Sequence, residues 1–167
     1  FFCFKYGKID GLESNNEYWL EQDARLREDF NIPGMRPKEL SVIKRKSGMK
    51  NFYAKAQVPC ARFHLVTDLA ESLAFIQNVG YPVIVKPDNG VGAVDTHKIS
   101  NEDELRHFHE TASGHVQYIM EEFVEGVIES FDGIASQNHD IIFETSHVFP
   151  DPLLDVVSED TDLDLMG

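Results

Sequence analysis

Residues 80–99, Gly-Tyr-Pro-Val-Ile-Val-Lys-Pro-Asp-Asn-Gly-Val-Gly-Ala-Val-Asp-Thr-His-Lys-Ile, constrain this chain more than any other stretch. The β-branched run Val83, Ile84, Val85 has no helical period and reads as a short buried strand. The strand delivers Lys86 to its end, and Pro87 then forces Lys86 into extended geometry. Gly90 and Gly92 let the backbone bend and approach a bulky group closely. A second β-rich piece, 95–99, brings the chain back. Strand, lysine, glycine turn and returning strand make a lid suited to phosphates, because its N–H groups form an anion-binding concavity and the lysine adds charge. A hairpin tip with a solvated lysine has the same local signature, so the rest of the chain must decide.

Length and charge narrow the classes. The chain has 167 residues, 42% hydrophobic and 11% aromatic, enough for a real core. Its formal net charge of -14 argues against a nucleic-acid or anionic-membrane surface. A single nucleotide needs only two or three local cations and stays open. Cys3 and Cys60 form no spaced framework, which points to a reducing cytoplasm. The apolar start, Phe1 to Phe4, is too short to span a bilayer and lacks the basic start and cleavage site of a signal peptide. Beginning at Phe and ending Asp-Leu-Met-Gly167, the chain reads as a piece of a longer protein.

Residues 1–13 are expected to be a strand end and a loop, and Ser14 with Glu17 a capping box opening a helix as far as Phe30. Asn31-Ile-Pro-Gly34 stops that helix. Pro37 opens a short basic helix over 38–46, and a second helix carries Met49, Phe52, Tyr53 and Ala56 on one face. Residues 61–66 read as a strand. Thr67 or Asp68 caps a helix whose inner face is Leu69, Leu73, Ile76 and Val79, and Gly80 ends it. Ser100 caps a helix with Leu105, Phe108 and Ala112 inward. A strand over 116–120 runs into Glu121-Glu122-Phe123-Val124-Glu125-Gly126, and strands over 128–135 and 141–148 form a hairpin. The order predicts an α+β fold with an antiparallel sheet. No G-x-x-x-x-G-K-[ST] or strand-to-helix G-x-G-x-x-G is present, which argues against P-loop and dinucleotide-binding sites.

Arg45-Lys46-Ser47-Gly48-Met49-Lys50, then Val58-Pro59, then Val83-Ile84-Val85-Lys86-Pro87 with Gly90-Val91-Gly92, then Ile119-Met120-Glu121-Glu122-Phe123-Val124-Glu125-Gly126 stand in a telling order. Over residues 37–150 this resembles the ATP-grasp superfamily, which includes biotin carboxylase, carbamoyl phosphate synthetase and D-alanine–D-alanine ligase. The resemblance implies a nucleotide-binding lobe with an antiparallel sheet, preceded by a helical linker and the end of a pre-ATP-grasp domain. The implied divisions are 1–36 for that earlier domain, 37–79 for the linker, 80–150 for the lobe and 151–167 for the acidic start of a truncated second lobe.

By the same resemblance, Lys46 and Lys86 would bind phosphate oxygens, and Gly90, Val91, Gly92 and Ala93 would form the phosphate lid. Lys46 also sits in a basic cluster that reads equally well as a solvated face. Glu121, Glu122, Phe123 and Val124 would hold adenine, with Glu121 and the main chain of Glu122 and Val124 meeting the base edge and Phe123 giving apolar contact. Glu129 would accept from the ribose hydroxyls, although Glu-Gly-Val-Ile-Glu is one residue longer than the family's Glu-Gly-x-Glu. The family's metal ligands, an acidic residue and a Glu-x-Asn pair on late strands, are not found. The resemblance therefore implies ATP with Mg²⁺ whose ligands lie outside this chain. It further implies an ATP-dependent ligase that makes an acyl phosphate from a small carboxylate for attack by an amine or related nucleophile, and leaves an oligomer possible. The competing reading is a non-catalytic module serving a protein interface or a regulatory ligand.

Overall fold

The computed structural model describes residues 1–90, 94–136 and 138–149. They sort into two units: Phe1–Cys60 with Asp88–Gly90, and Ala61–Pro87 with the described residues beyond Gly90.

The first unit is helical. Where a strand end was expected, α1 spans Phe2–Tyr6. The Phe2 and Tyr6 rings, four residues apart, meet at 5.1 Å, as i,i+4 neighbours on a helix do. The next cap is Asn16 rather than Ser14. Its side chain accepts from Tyr18 N at 2.8 Å and opens a 3-10 turn, Glu17–Trp19, that leads into α2, Leu20–Asp29. Asn31 and Gly34 take positive φ and turn the chain, as their residue types favour. Beneath the turn, buried Arg27 donates to Leu12 O through Nε at 2.9 Å and Nη2 at 2.6 Å, and pairs with Glu13.

Helices α3, Pro37–Ile43, and α4, Lys46–Lys55, follow, with Pro37 in the first turn as expected. Gly48 lets them meet closely: a Cβ there would lie 2.5 Å from the Val42 carbonyl oxygen.

The second unit contains β1 (Phe63–Leu65), α5 (Leu69–Val79), β2 (Val83–Pro87), β3 (His97–Ile99), α6 (Glu102–Thr111), β4 (Tyr118–Glu122), β5 (Ile128–Ala135) and β6 (Ile141–Phe149). The first four strands form an antiparallel sheet in the order β1-β4-β2-β3, and β5 and β6 form a separate hairpin. Asp68 caps α5 by accepting from Glu71 N at 2.9 Å, and Gly80 ends it at φ 81°. For α6 the cap is Asn101, one residue past the expected Ser100, and Glu104 reaches back to Ser100 N.

Alternation along the strands decides the core. Val83 and Val85 of β2, Ile99 of β3, and Tyr118 and Met120 of β4 are buried with Ile76 of α5 and Leu105 and Phe108 of α6. One sheet face is thus closed by helices, and the intervening residues of the same strands occupy the other face.

Candidate functional site

The site begins on that other face. With Val83 and Val85 in the core, Ile84 and Lys86 point away from it. The register Ile84↔Glu121 puts Glu121 beside them, although Glu121 was expected just beyond its strand. Lys86 Nζ and Glu121 Oε2 meet at 2.6 Å, with side chains only 26% and 10% exposed. A carboxylate this enclosed needs its countercharge, and the end of an apolar strand gives the lysine the same need. An ammonium has three donors, so Lys86 can hold Glu121 and still offer hydrogen bonds to an anionic oxygen.

The second cation is built differently. Arg45 lies N-terminal to α4 and provides no side-chain cap. Asp88, 1% exposed, does so across the sequence: Oδ1 accepts from Ser47 N at 2.8 Å and Oδ2 from Ser47 Oγ at 2.9 Å. The Asp88 carbonyl accepts from Lys46 N at 2.9 Å. These bonds satisfy N–H groups the first helical turn leaves open, and a carboxylate there complements the helix dipole. Lys46, the first residue of α4, is fixed by them, and its Nζ donates to Gly90 O at 2.9 Å. Lys46 and Gly90 are therefore brought together within the first unit, as Lys86 and Glu121 are within the second.

The expected base-binding segment divides by role. The Glu122 carboxylate accepts from Arg62 N at 2.7 Å and Nε at 2.6 Å, and Glu122 N donates to Arg62 O at 3.0 Å, so this residue ties β4 to β1. Phe123 lies under the Lys98 ammonium, 4.3 Å from the ring centroid. Val124 is exposed. Glu129 is exposed on β5 opposite Val148. Val91, Gly92 and Ala93 lie outside the described residues.

Next to them in sequence, Asp95 takes φ 57° and accepts from Tyr118 Oη at 2.5 Å, with His97 Nε2 at 2.8 Å. The Tyr118 hydrogen bond, then that of His97, lowers the Asp95 pKa, and the same Asp95 bond raises that of Tyr118. His109 Nε2 reaches Ser72 Oγ at 3.1 Å, but Ser72 is fully buried and cannot meet a substrate. This pair joins α5 to α6.

The model of the carbamoyl-phosphate synthase L chain ATP-binding domain matches residues 45–141, more than half of the chain, from just before Lys46 to the start of β6. The chain belongs to this family. It is an ATP-grasp protein, and its mixed helix and antiparallel sheet is the ATP-grasp fold.

An L-arginine-specific L-amino acid ligase of Bacillus subtilis is 29% identical over 110 residues, 66% of this chain and 27% of the relative. The L-amino acid ligase of Bacillus licheniformis superposes with a TM-score of 0.63 at 20% identity, over 88% of this chain and 32% of that one. The biotin carboxylase domain of Hydrogenobacter thermophilus 2-oxoglutarate carboxylase, crystallised with MgADP, ADP and bicarbonate, gives 0.68 at 23% identity, over 84% of this chain and 34% of that one. D-alanine–D-alanine ligase of Helicobacter pylori gives 0.60 at 22% identity, over 72% of this chain and 38% of that one. The ATP-grasp chain thus spans about a quarter to two fifths of the length of these relatives.

Two residues that hold expected site residues were missed in the sequence, one in each unit. Asp88, in Lys-Pro-Asp-Asn-Gly, looks like a turn residue, and nothing local says that it caps a helix 41 positions earlier. Lys98 reads as an exposed strand residue and is one, but nothing local says that its ammonium lies over the ring of Phe123, 25 positions later.

Proposed function

We propose that this chain is the ATP-binding part of an ATP-grasp ligase that activates a small carboxylate as an acyl phosphate for attack by an amine or related nucleophile. The observation that carries the proposal is the Lys86–Glu121 pair on one sheet face, inside the segment that matches the ATP-binding domain. The ligase names of the relatives support the reaction class.

Phosphoryl transfer asks a protein mainly to position groups and to balance charge on the phosphate oxygens. Lys86, oriented by Glu121, would give a donor and a positive charge to one phosphate. Lys46, fixed by the Asp88 cap, would do so for another, and the N–H groups of Gly90, Val91, Gly92 and Ala93 would cradle the rest. Glu121 and the main chain of Glu122 and Val124 would hold the base edge against Phe123, and Glu129 would take the ribose hydroxyls.

Among the described residues no group of three or more His, Cys, Asp or Glu side chains is placed to hold a metal. No step is therefore assigned to Mg²⁺ through this chain's residues, and its ligands are proposed to belong to other parts of the ligase. No described helix is long and apolar enough to cross a membrane. A cytoplasmic location is proposed with the reaction.

Titration with a fluorescent ATP analogue in Mg²⁺, wild type against Lys86→Ala, tests the proposal. Binding by wild type that weakens at least ten-fold in a folded variant is expected, in line with a charge-assisted contact. Equal binding by the two proteins sinks the reading.

A further inference from the structure

We infer that Lys98 positions the base-recognition segment: its ammonium, stacked on Phe123, sets the course of the chain beyond Glu122 and with it the preference for adenine. The inference rests on the proposed role of residues 121–124.

The sheet register carries the argument. Ile84 pairs with Lys98 on one side and with Glu121 on the other, so Lys98, Ile84 and Glu121 form one row on the face that also carries Lys86. From β3 the Lys98 side chain reaches past the end of β4, where Nζ rests 4.3 Å from the centre of the Phe123 ring. Strand β4 ends at Glu122. Phe123 is therefore the first residue beyond the ladder, and side-chain contacts rather than cross-strand pairing orient it.

The charges fit this division of labour. Glu121 is neutralised by Lys86 and Glu122 by Arg62. The Lys98 ammonium rests on the face of an aromatic ring, which attracts a cation through its quadrupole. Lys98 is the middle residue of β3, flanked by His97 and Ile99, and Ile99 is anchored in the core. A lysine on so short a strand has a fixed root and a free tip, which suits it to clamp a ring two strands away. Lys86 would then serve the phosphates while Lys98 serves the base through Phe123.

Calorimetric titration of the whole chain with MgATP, MgGTP and inorganic tripolyphosphate tests this, using wild type, Lys98→Met, Lys98→Arg, Phe123→Leu and the Lys98→Met/Phe123→Leu double variant. Lys98→Met keeps the stem and loses the cation. It should weaken ATP binding about five-fold, the size of a partly exposed cation–π contact, and narrow the ATP-to-GTP ratio accordingly. Tripolyphosphate affinity should stay at the wild-type value, Lys98→Arg should restore ATP binding, and the double variant should bind like Phe123→Leu alone. A Lys98→Met protein that binds ATP as wild type does overturns the inference. So does a parallel loss of ATP and tripolyphosphate, which would make Lys98 a phosphate ligand. Wild type that fails to bind ATP overturns the ATP-site reading and this inference together, whereas unchanged variants of a binding wild type overturn this inference alone.

Discussion

Strands β4 and β5 carry similar β-branched and aromatic residues and lie in the same unit, yet they have opposite surroundings. Tyr118, Ile119 and Met120 of β4 are buried. In β5 all residues except Ser130 are exposed, including Phe131 and Ile134. The difference lies in the neighbours. β4 has a ladder on each side, with β1 and β2, and helices α5 and α6 cover one of its faces. Among the described residues β5 pairs with β6 alone, whose Ile142 and Phe143 are exposed as well. Residue type therefore decided that both segments are strands, and the number of packed layers decided which one is core.

The largest effect that sharpens the contrast is a cavity. Met120→Ala should cost about 3 kcal/mol in urea unfolding, whereas Ile142→Ala should cost under about 0.5 kcal/mol. Equal costs would show that the hairpin is covered in solution and would break the comparison.

Charge pairs give an intermediate effect. Glu121→Ala strands a mostly enclosed Lys86 and should cost about 2 kcal/mol, and Lys86→Met/Glu121→Leu should recover much of it. The hairpin's own pair, Asp132 and His147 at 3.6 Å with both side chains 66% exposed, should change stability by less than about 0.5 kcal/mol when Asp132 becomes Ala.

The smallest effect is in pH, and it acts on the four-stranded sheet and its helices. Burial lowers the His109 pKa below its ordinary 6.5, so the neutral ring's contribution is present above 6.5 and is lost as pH falls through the depressed value. Asp95, held below its ordinary 3.8 by Tyr118 and His97, adds stability that is lost only at still lower pH. Tyr118, raised above 10.0 by the same bond to Asp95, adds stability that is full below 10.0 and is lost above its raised value. Tyr118→Phe should reduce both the alkaline and the acid limb of the urea midpoint, leaving the alkaline part set by Tyr81, whose pKa burial also raises, and the limb set by His109. Unchanged alkaline and acid limbs would mean that the Tyr118–Asp95 bond is absent in solution.

Much of the second unit was legible because its signals are local. The run at Val83 to Val85, the Asp68 cap, the Gly80 stop and the inner face of α6 each depend on residues a few positions apart. The first unit was less so. Ser14 and Asn16 are both good caps, and the bond to Tyr18 N chose Asn16. The aromatic start looked like strand because its helix rests on one ring pair and basic–aromatic contacts, with none of its residues buried.

The candidate site was legible in its residue types and less so in their partners. By itself the sequence determined the order of elements from α2 onward, the membership of the ATP-grasp superfamily and the need of Lys86 for a countercharge, because periodicity, turn chemistry and motif order are written along the chain. Only the tertiary structure decided that Glu121 answers Lys86, that Asp88 caps α4 and so fixes Lys46, and that Lys98 lies over Phe123. Those pairings follow from strand register and from the isolated bridge Arg45↔Asn89, which join residues far apart in sequence and leave no local trace.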